Sequence, residues 1–136
     1  MKTKILVFLA LCLCLSAVPA FAQKQKPDPE IQKMLKEVSA KNIEATIRKL
    51  VSFGTRNTLS DQTSKERGIG AARDWILSEF RKISVECGMC LDPQMQTFLQ
   101  PKAARVPEPT NLSNVFAVLT GTTDPSRIYV VSGHYD

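Results

Sequence analysis

Apolar positions recur along this chain in two rhythms. Ile31, Met34, Leu35 and Val38 fall at i, i+3, i+4 and i+7, the spacing of one helix face. Ser39 can cap a second helix that carries Ile43, Ile47, Leu50 and Val51 on one side. That helix is expected to end near Phe53-Gly54, where glycine supplies the stop. Thr55 to Gln62 is polar and reads as a loop. Thr63 followed by Glu66 fits a capping box, so a third helix is predicted from there to about Ile83. Its buried stripe would be Ile69, Ala72, Ile76, Phe80 and Ile83, flanked by Trp75. Gly68 and Gly70 weaken its start by roughly 1 kcal/mol each relative to Ala. They suggest close packing, against a sheet.

The rhythm then changes. Gln94 to Gln100 alternates weakly, with Met95, Thr97 and Leu99 on one side, and predicts a strand. Lys102 to Thr110 carries two prolines and reads as a connector. Leu112 to Leu119 predicts a second strand, and Gly121 to Ser126 a turn that suits an antiparallel pair. Ile128 to Val131 is continuously apolar, which predicts a third strand buried on both faces. Helices on a sheet make the fold class α/β.

The first 22 residues stand apart from this pattern. Lys2 and Lys4 precede an apolar run from Ile5 to Leu15, and Ala20-Phe21-Ala22 is a small-x-small cleavage site. This is the pattern of a secretory signal peptide. The run is too short to span a bilayer stably, so a secreted or periplasmic product without a membrane anchor is expected after cleavage at Ala22. The mature domain would then be residues 23–136, beginning with a polar lead-in from Gln23 to Pro29.

Loss of Lys2 and Lys4 leaves 16 basic residues against 13 acidic ones, a net charge of +3. The charges are spread out, with no basic block that would argue for nucleic acid. Cys12 and Cys14 leave with the leader, so Cys87 and Cys90 remain, as Cys-Gly-Met-Cys. An oxidising compartment makes a local disulfide the default. A redox dithiol would want a helix starting within the motif; here a helix precedes it and Leu91-Asp92-Pro93 follows. A zinc knuckle would need two more ligands of this kind. Asn111-Leu112-Ser113 fits an N-glycosylation acceptor, a short pattern common by chance.

The candidate chemistry lies after the third predicted strand, at Ser132-Gly133-His134-Tyr135-Asp136. His134 is the one histidine of the chain. Ligands collect beyond the carboxyl ends of strands in open α/β sheets, and residues two apart on a strand share a face. An Asp beside a metal-bound His accepts the other ring N–H and fixes the tautomer. Gly133 and Ser132 are small and allow close approach. Taken alone, a His-x-Asp pair also fits a solvated tail.

Four segments, in order, resemble a known family. They are Leu50-Val51-Ser52-Phe53-Gly54-Thr55-Arg56, Gly70-Ala71-Ala72-Arg73-Asp74-Trp75-Ile76, Asn114-Val115-Phe116-Ala117-Val118-Leu119-Thr120-Gly121, and Tyr129-Val130-Val131-Ser132-Gly133-His134-Tyr135-Asp136. Together they are similar to the amino-terminal third of zinc aminopeptidases of the bacterial leucyl aminopeptidase type, relatives of glutamate carboxypeptidases and glutaminyl cyclases. The resemblance implies a mixed sheet flanked by helices, two zinc ions and a peptide substrate cleaved at its N-terminus. It implies that His134 is a zinc ligand and that Asp136 is the catalytic-site carboxylate orienting it. The family's bridging Asp, its Glu general base, two further carboxylates and a second His follow the His-x-Asp motif.

One imidazole does not hold catalytic zinc, for which three protein ligands are the usual minimum. The expectation is therefore an incomplete part of a mixed-sheet, helix-flanked zinc exopeptidase fold, truncated after its first metal motif. Alone it would be inactive and poorly folded, with uncovered sheet edges and apolar faces. Two other readings stay open. One is a small exported binding or structural domain stapled by Cys87–Cys90; the other is a thiol oxidoreductase using those cysteines.

Overall fold

The computed structural model describes residues 26–136. The leader, its cleavage site, Cys12 and Cys14 lie outside the described residues. The chain divides into two units, with the boundary between Val38 and Ser39.

The first unit contributes helix α1, Pro29–Glu37. Pro sits in its first turn, where the missing N–H is no loss. Asp28 caps it, its carboxylate accepting from the Glu30 amide at 2.8 Å. The predicted apolar face, Ile31, Met34, Leu35 and Val38, is exposed.

The second unit holds the rest. Helix α2 is Ala40–Ser52, and Ser39 caps it through its hydroxyl to the Asn42 amide at 3.2 Å. Gly54, at φ +78°, ends the helix as expected. Its apolar stripe is not a core face, however. Ile43, Ile47 and Val51 are all more than half exposed, and only Leu50 reaches the core.

Helix α3 is Gly68–Glu86. It starts four residues later than the capping box predicted, and Thr63 does not cap it. Asp61 accepts instead from the Thr63 and Ser64 amides, and Ser64 accepts from those of Glu66 and Arg67. These bonds wind a polar turn that opposes helix in that stretch. The stripe is buried only at its beginning. Ile69, Ala71 and Ala72 are buried, whereas Ile83 is 46% exposed.

The sheet has two antiparallel strands, β1 Leu91–Gln100 and β2 Thr110–Leu119. The register runs from Leu91 opposite Leu119 to Gln100 opposite Thr110. Helix α3 packs against both strands. Alternation puts Leu91, Pro93 and Met95 on the more covered side of β1, and Val115 and Ala117 on that of β2. The described fold is thus mixed α/β, three helices and a two-stranded sheet.

Between α3 and β1 the chain reverses through Cys87–Cys90, which are disulfide-bonded with Cα atoms 5.5 Å apart. Gly88 and Met89 both take positive φ there. Ser84, buried at the end of α3, donates to the Leu91 carbonyl at 2.6 Å and ties helix to strand.

The third predicted strand is absent. Ile128–Val131 has no strand pairing and is 81–97% exposed. The Gly121–Ser126 turn therefore joins no antiparallel pair. An apolar run makes a buried strand only where other elements cover it, and among the described residues none does.

The core sits where α2 ends and α3 begins. Phe53, Ala71 and Ala72 form it, with Leu50, Trp75 and Tyr135 packed around them. The Phe53 and Trp75 rings meet tilted, centroids 6.2 Å apart, and the Lys49 ammonium lies 4.9 Å from the Phe53 centroid.

Candidate metal-ligand segment

The site is built from the loop that leads into α3. A helix leaves its first amide donors without intrahelical partners, and the Arg67 side chain caps none of them. The loop supplies the acceptors instead. Gly68 N–H donates to the Phe53 carbonyl at 3.1 Å and Gly70 N–H to that of Asp61 at 3.0 Å. Ile69 N–H donates to the Ser60 hydroxyl at 2.9 Å.

This close approach explains the two glycines, and it corrects their predicted role, since they face the loop and not a sheet. Gly68 has φ +78°, and a Cβ there would lie 2.8 Å from the Asp61 carbonyl oxygen. A Cβ at Gly70 would lie 2.4 Å from that of Gln62. Gln62 ties the loop further, its amide donating to the Thr58 and Ser60 carbonyls. Arg73 of α3 donates to the Gln62 carbonyl at 3.1 Å and reaches the Ser113 hydroxyl on β2 at 3.5 Å.

Onto this loop comes the His134-Tyr135-Asp136 segment, which follows the unpaired stretch without forming a strand. Tyr135 is half-buried against the core, and its hydroxyl donates to the Ser113 carbonyl at 3.0 Å. Burial pushes the Tyr135 phenol above its ordinary pKa. Arg56 donates from Nε to the Tyr135 carbonyl and from Nη1 to the Leu50 carbonyl, both at 2.7 Å. Thr58 donates its hydroxyl to Asp136 Oδ2 at 2.5 Å. The other carboxylate oxygen, Oδ1, lies 3.1 Å from His134 Nδ1. The Thr58 hydroxyl, and after it the His134 ring, hold the Asp136 carboxyl below the usual range.

The structure therefore brings His134 and Asp136 together as a hydrogen-bonded pair. The imidazole is otherwise open, its side chain 96% exposed, and Nε2 is left for another partner. The pair borders a cleft of about 350 Å³, whose walls include Ile69, Phe98, Leu112 and Ser113. Cys87 and Cys90 are bonded to each other, at the far end of α3 from the glycines. No group of three His, Cys, Asp or Glu side chains able to hold a metal occurs among the described residues.

Arg56 and Thr58 make contacts to this segment that the sequence pattern does not reveal. Arg56 falls in the Leu50–Arg56 segment, but Thr58 lies in an unmarked polar loop. Only the meeting of residues 78 and 79 positions apart exposes either bond.

The chain is similar in sequence to several curated fungal proteins. The chain is 55% identical over 112 residues to a probable zinc metalloprotease of Pyrenophora tritici-repentis, covering 82% of this chain and 23% of that protein. It is 52% identical over 110 residues to one of Leptosphaeria maculans, covering 81% and 26%. With one of Pyricularia oryzae the figures are 47% over 121 residues, 89% and 24%. Homologues at this identity support a zinc metalloprotease family. The chain spans about a quarter of the length of these curated relatives. No family model matches it, and no solved structure does.

Proposed function

We propose that this chain carries the first metal-ligand segment of a secreted zinc exopeptidase of the aminopeptidase type. The observation that carries the reading is the His134–Asp136 pair. A carboxylate on Nδ1 leaves Nε2 unprotonated and raises its basicity, which is the state a zinc ligand needs. The donors present fit zinc as one ligand with its orienting carboxylate. They do not complete a site, since catalytic zinc takes three protein ligands. The relatives' greater length has room for the remainder, a second zinc ion included.

His134 would hold the metal through Nε2, and Asp136 would keep the ring in one tautomer and one orientation. Bound zinc supplies Lewis acidity toward a peptide carbonyl and lowers the pKa of a bound water. Tyr135 anchors the segment by its half-buried ring and its bond to Ser113. The substrate is a peptide bearing a free N-terminus. A leader at residues 1–22 would export the product.

The test is a chimaera in which this segment replaces the matching 112 residues of the Pyrenophora tritici-repentis relative. It should release the N-terminal residue from an amino-acid anilide, lose that activity to a chelator and regain it with zinc. His134→Ala should abolish turnover, and the 136-residue chain by itself should show none. A folded chimaera without anilide release would overturn the aminopeptidase reading and favour a non-enzymatic exported domain. Anilide release that survives His134→Ala would overturn the ligand assignment.

A further inference from the structure

The His134-Tyr135-Asp136 segment follows an exposed stretch that gives it no support, since Ile128–Val131 is unpaired. Besides the Tyr135 ring on the core and its bond to Ser113, what fixes it comes from the loop between α2 and α3. Two side chains of that loop reach across. The Arg56 guanidinium spans from the Leu50 carbonyl, near the C-terminal end of α2, to the Tyr135 carbonyl. Its planar fork makes two bonds in fixed relative directions, which an ammonium cannot do. A cation also suits the negative end of a helix. The Thr58 hydroxyl takes Asp136 Oδ2 and leaves Oδ1 toward the imidazole.

Each bond acts on a different freedom of the segment. Arg56 holds the peptide between Tyr135 and Asp136. Thr58 holds the rotation of the Asp136 carboxylate. Without the second, the carboxylate of an exposed residue would turn among rotamers and share its oxygens with water. The loop can impose both because it is itself held. The Thr58 carbonyl is bonded by Gln62, the Gln62 carbonyl by Arg73, and the Ser60 hydroxyl by the Ile69 amide.

We infer that Arg56 and Thr58 are positioning residues that lock the Asp136 carboxylate onto His134 Nδ1 and so present Nε2 unprotonated. The role rests on reading His134 as a zinc ligand, whereas the lock itself is a property of the metal-free chain and is measurable there.

The chain has a single histidine, so its ring nitrogens give one unambiguous set of signals. The experiment is a long-range ¹⁵N–¹H correlation spectrum of the metal-free 136-residue chain, at a pH where the ring is neutral. The Nδ1–H tautomer is expected to dominate in the unaltered chain. Thr58→Val, which keeps shape and removes the donor, should shift the majority to Nε2–H. Thr58→Ser should restore the original ratio. Arg56→Lys should shift it part of the way and move the Tyr135 amide signal, with α3 amide signals unchanged. Removal of structure alone would not produce a tautomer change that a hydroxyl rescues.

An Nε2–H majority in the unaltered chain would overturn the inference. So would an unchanged tautomer in Thr58→Val, or in Arg56→Lys should the valine variant not fold. Zinc ion added to the same sample separates the two readings. If the Thr58 dependence is present but zinc perturbs neither ring nitrogen, positioning stands and the ligand reading falls. If zinc perturbs Nε2 while Thr58 has no effect, the reverse holds.

Discussion

Two stretches of this chain invert what their composition suggests. Thr55–Gln62 is polar and Ile128–Val131 is wholly apolar. The polar loop is the fixed one. Its Ser60 hydroxyl and Asp61 carbonyl take the Ile69 and Gly70 amides of α3, and its own turns are closed by Asn57 and Gln62. The apolar stretch is more than four-fifths exposed. The difference teaches that order follows satisfied partners, not hydrophobicity. Helix amides must find acceptors wherever they are buried, and a loop that supplies them is held at many points. An apolar run gains nothing until another surface removes it from water.

The comparison breaks most completely at Gly70. A methyl group there collides with the Gln62 carbonyl, so Gly70→Ala should push the loop off the helix. The expected loss is about 2–3 kcal/mol, the upper range for overpacking, measured as a lower urea midpoint. Ser60→Ala removes both the acceptor for the Ile69 amide and the bond to the Asn57 carbonyl. It should cost about 1 kcal/mol, as loss of a helix cap does, read by the same denaturation.

Acid sharpens the contrast further. The Thr63 and Ser64 amides, and then the Thr63 hydroxyl, hold the Asp61 carboxyl below its ordinary value. For Asp74 burial works upward, but Lys65 and Arg73 outweigh it and the pKa is lowered. Groups depressed on folding contribute stability above their unfolded pKa and lose it as pH falls through the folded one. The loop region should therefore weaken below about pH 3.9. Asp61→Asn should flatten that fall, measured as the difference in urea midpoint between mildly acidic and strongly acidic buffer.

The smallest effect on stability belongs to the apolar stretch. Val130 is 84% exposed, so Val130→Lys should change the unfolding free energy by less than about 0.5 kcal/mol. Its consequence should appear in association, because an exposed apolar extended run invites pairing with another chain. Light scattering should show less self-association in Val130→Lys. A loss of stability beyond that range would mean that the stretch packs in solution.

Much of the fold is legible in the sequence. The α2 cap at Ser39 and its stop at Gly54 follow from local chemistry, and both strands lie close to their predicted spans. What was not legible is instructive. The Thr63–Glu66 pair fits a capping box, yet Asp61 and Ser64 win those amides for a turn. The stripes of α1 and α2 mark faces without saying whether anything covers them. At the site, His134 and Asp136 are readable because they are two apart. Arg56 and Thr58 are not, because hydrogen bonds between distant residues leave no period in a sequence.

The sequence by itself determined that three helices and two strands form, and the spacing that places His134 near Asp136, since these depend on neighbours within a few residues; the pairing of the strands, Leu91 to Leu119 through Gln100 to Thr110, did not. Tertiary structure alone decided that a polar loop caps α3, that Gly68 and Gly70 admit it, and that Ile128–Val131 stays outside the sheet. Those outcomes turn on whether a buried donor finds an acceptor, or an apolar surface a cover, from far along the chain, and only the folded arrangement settles that.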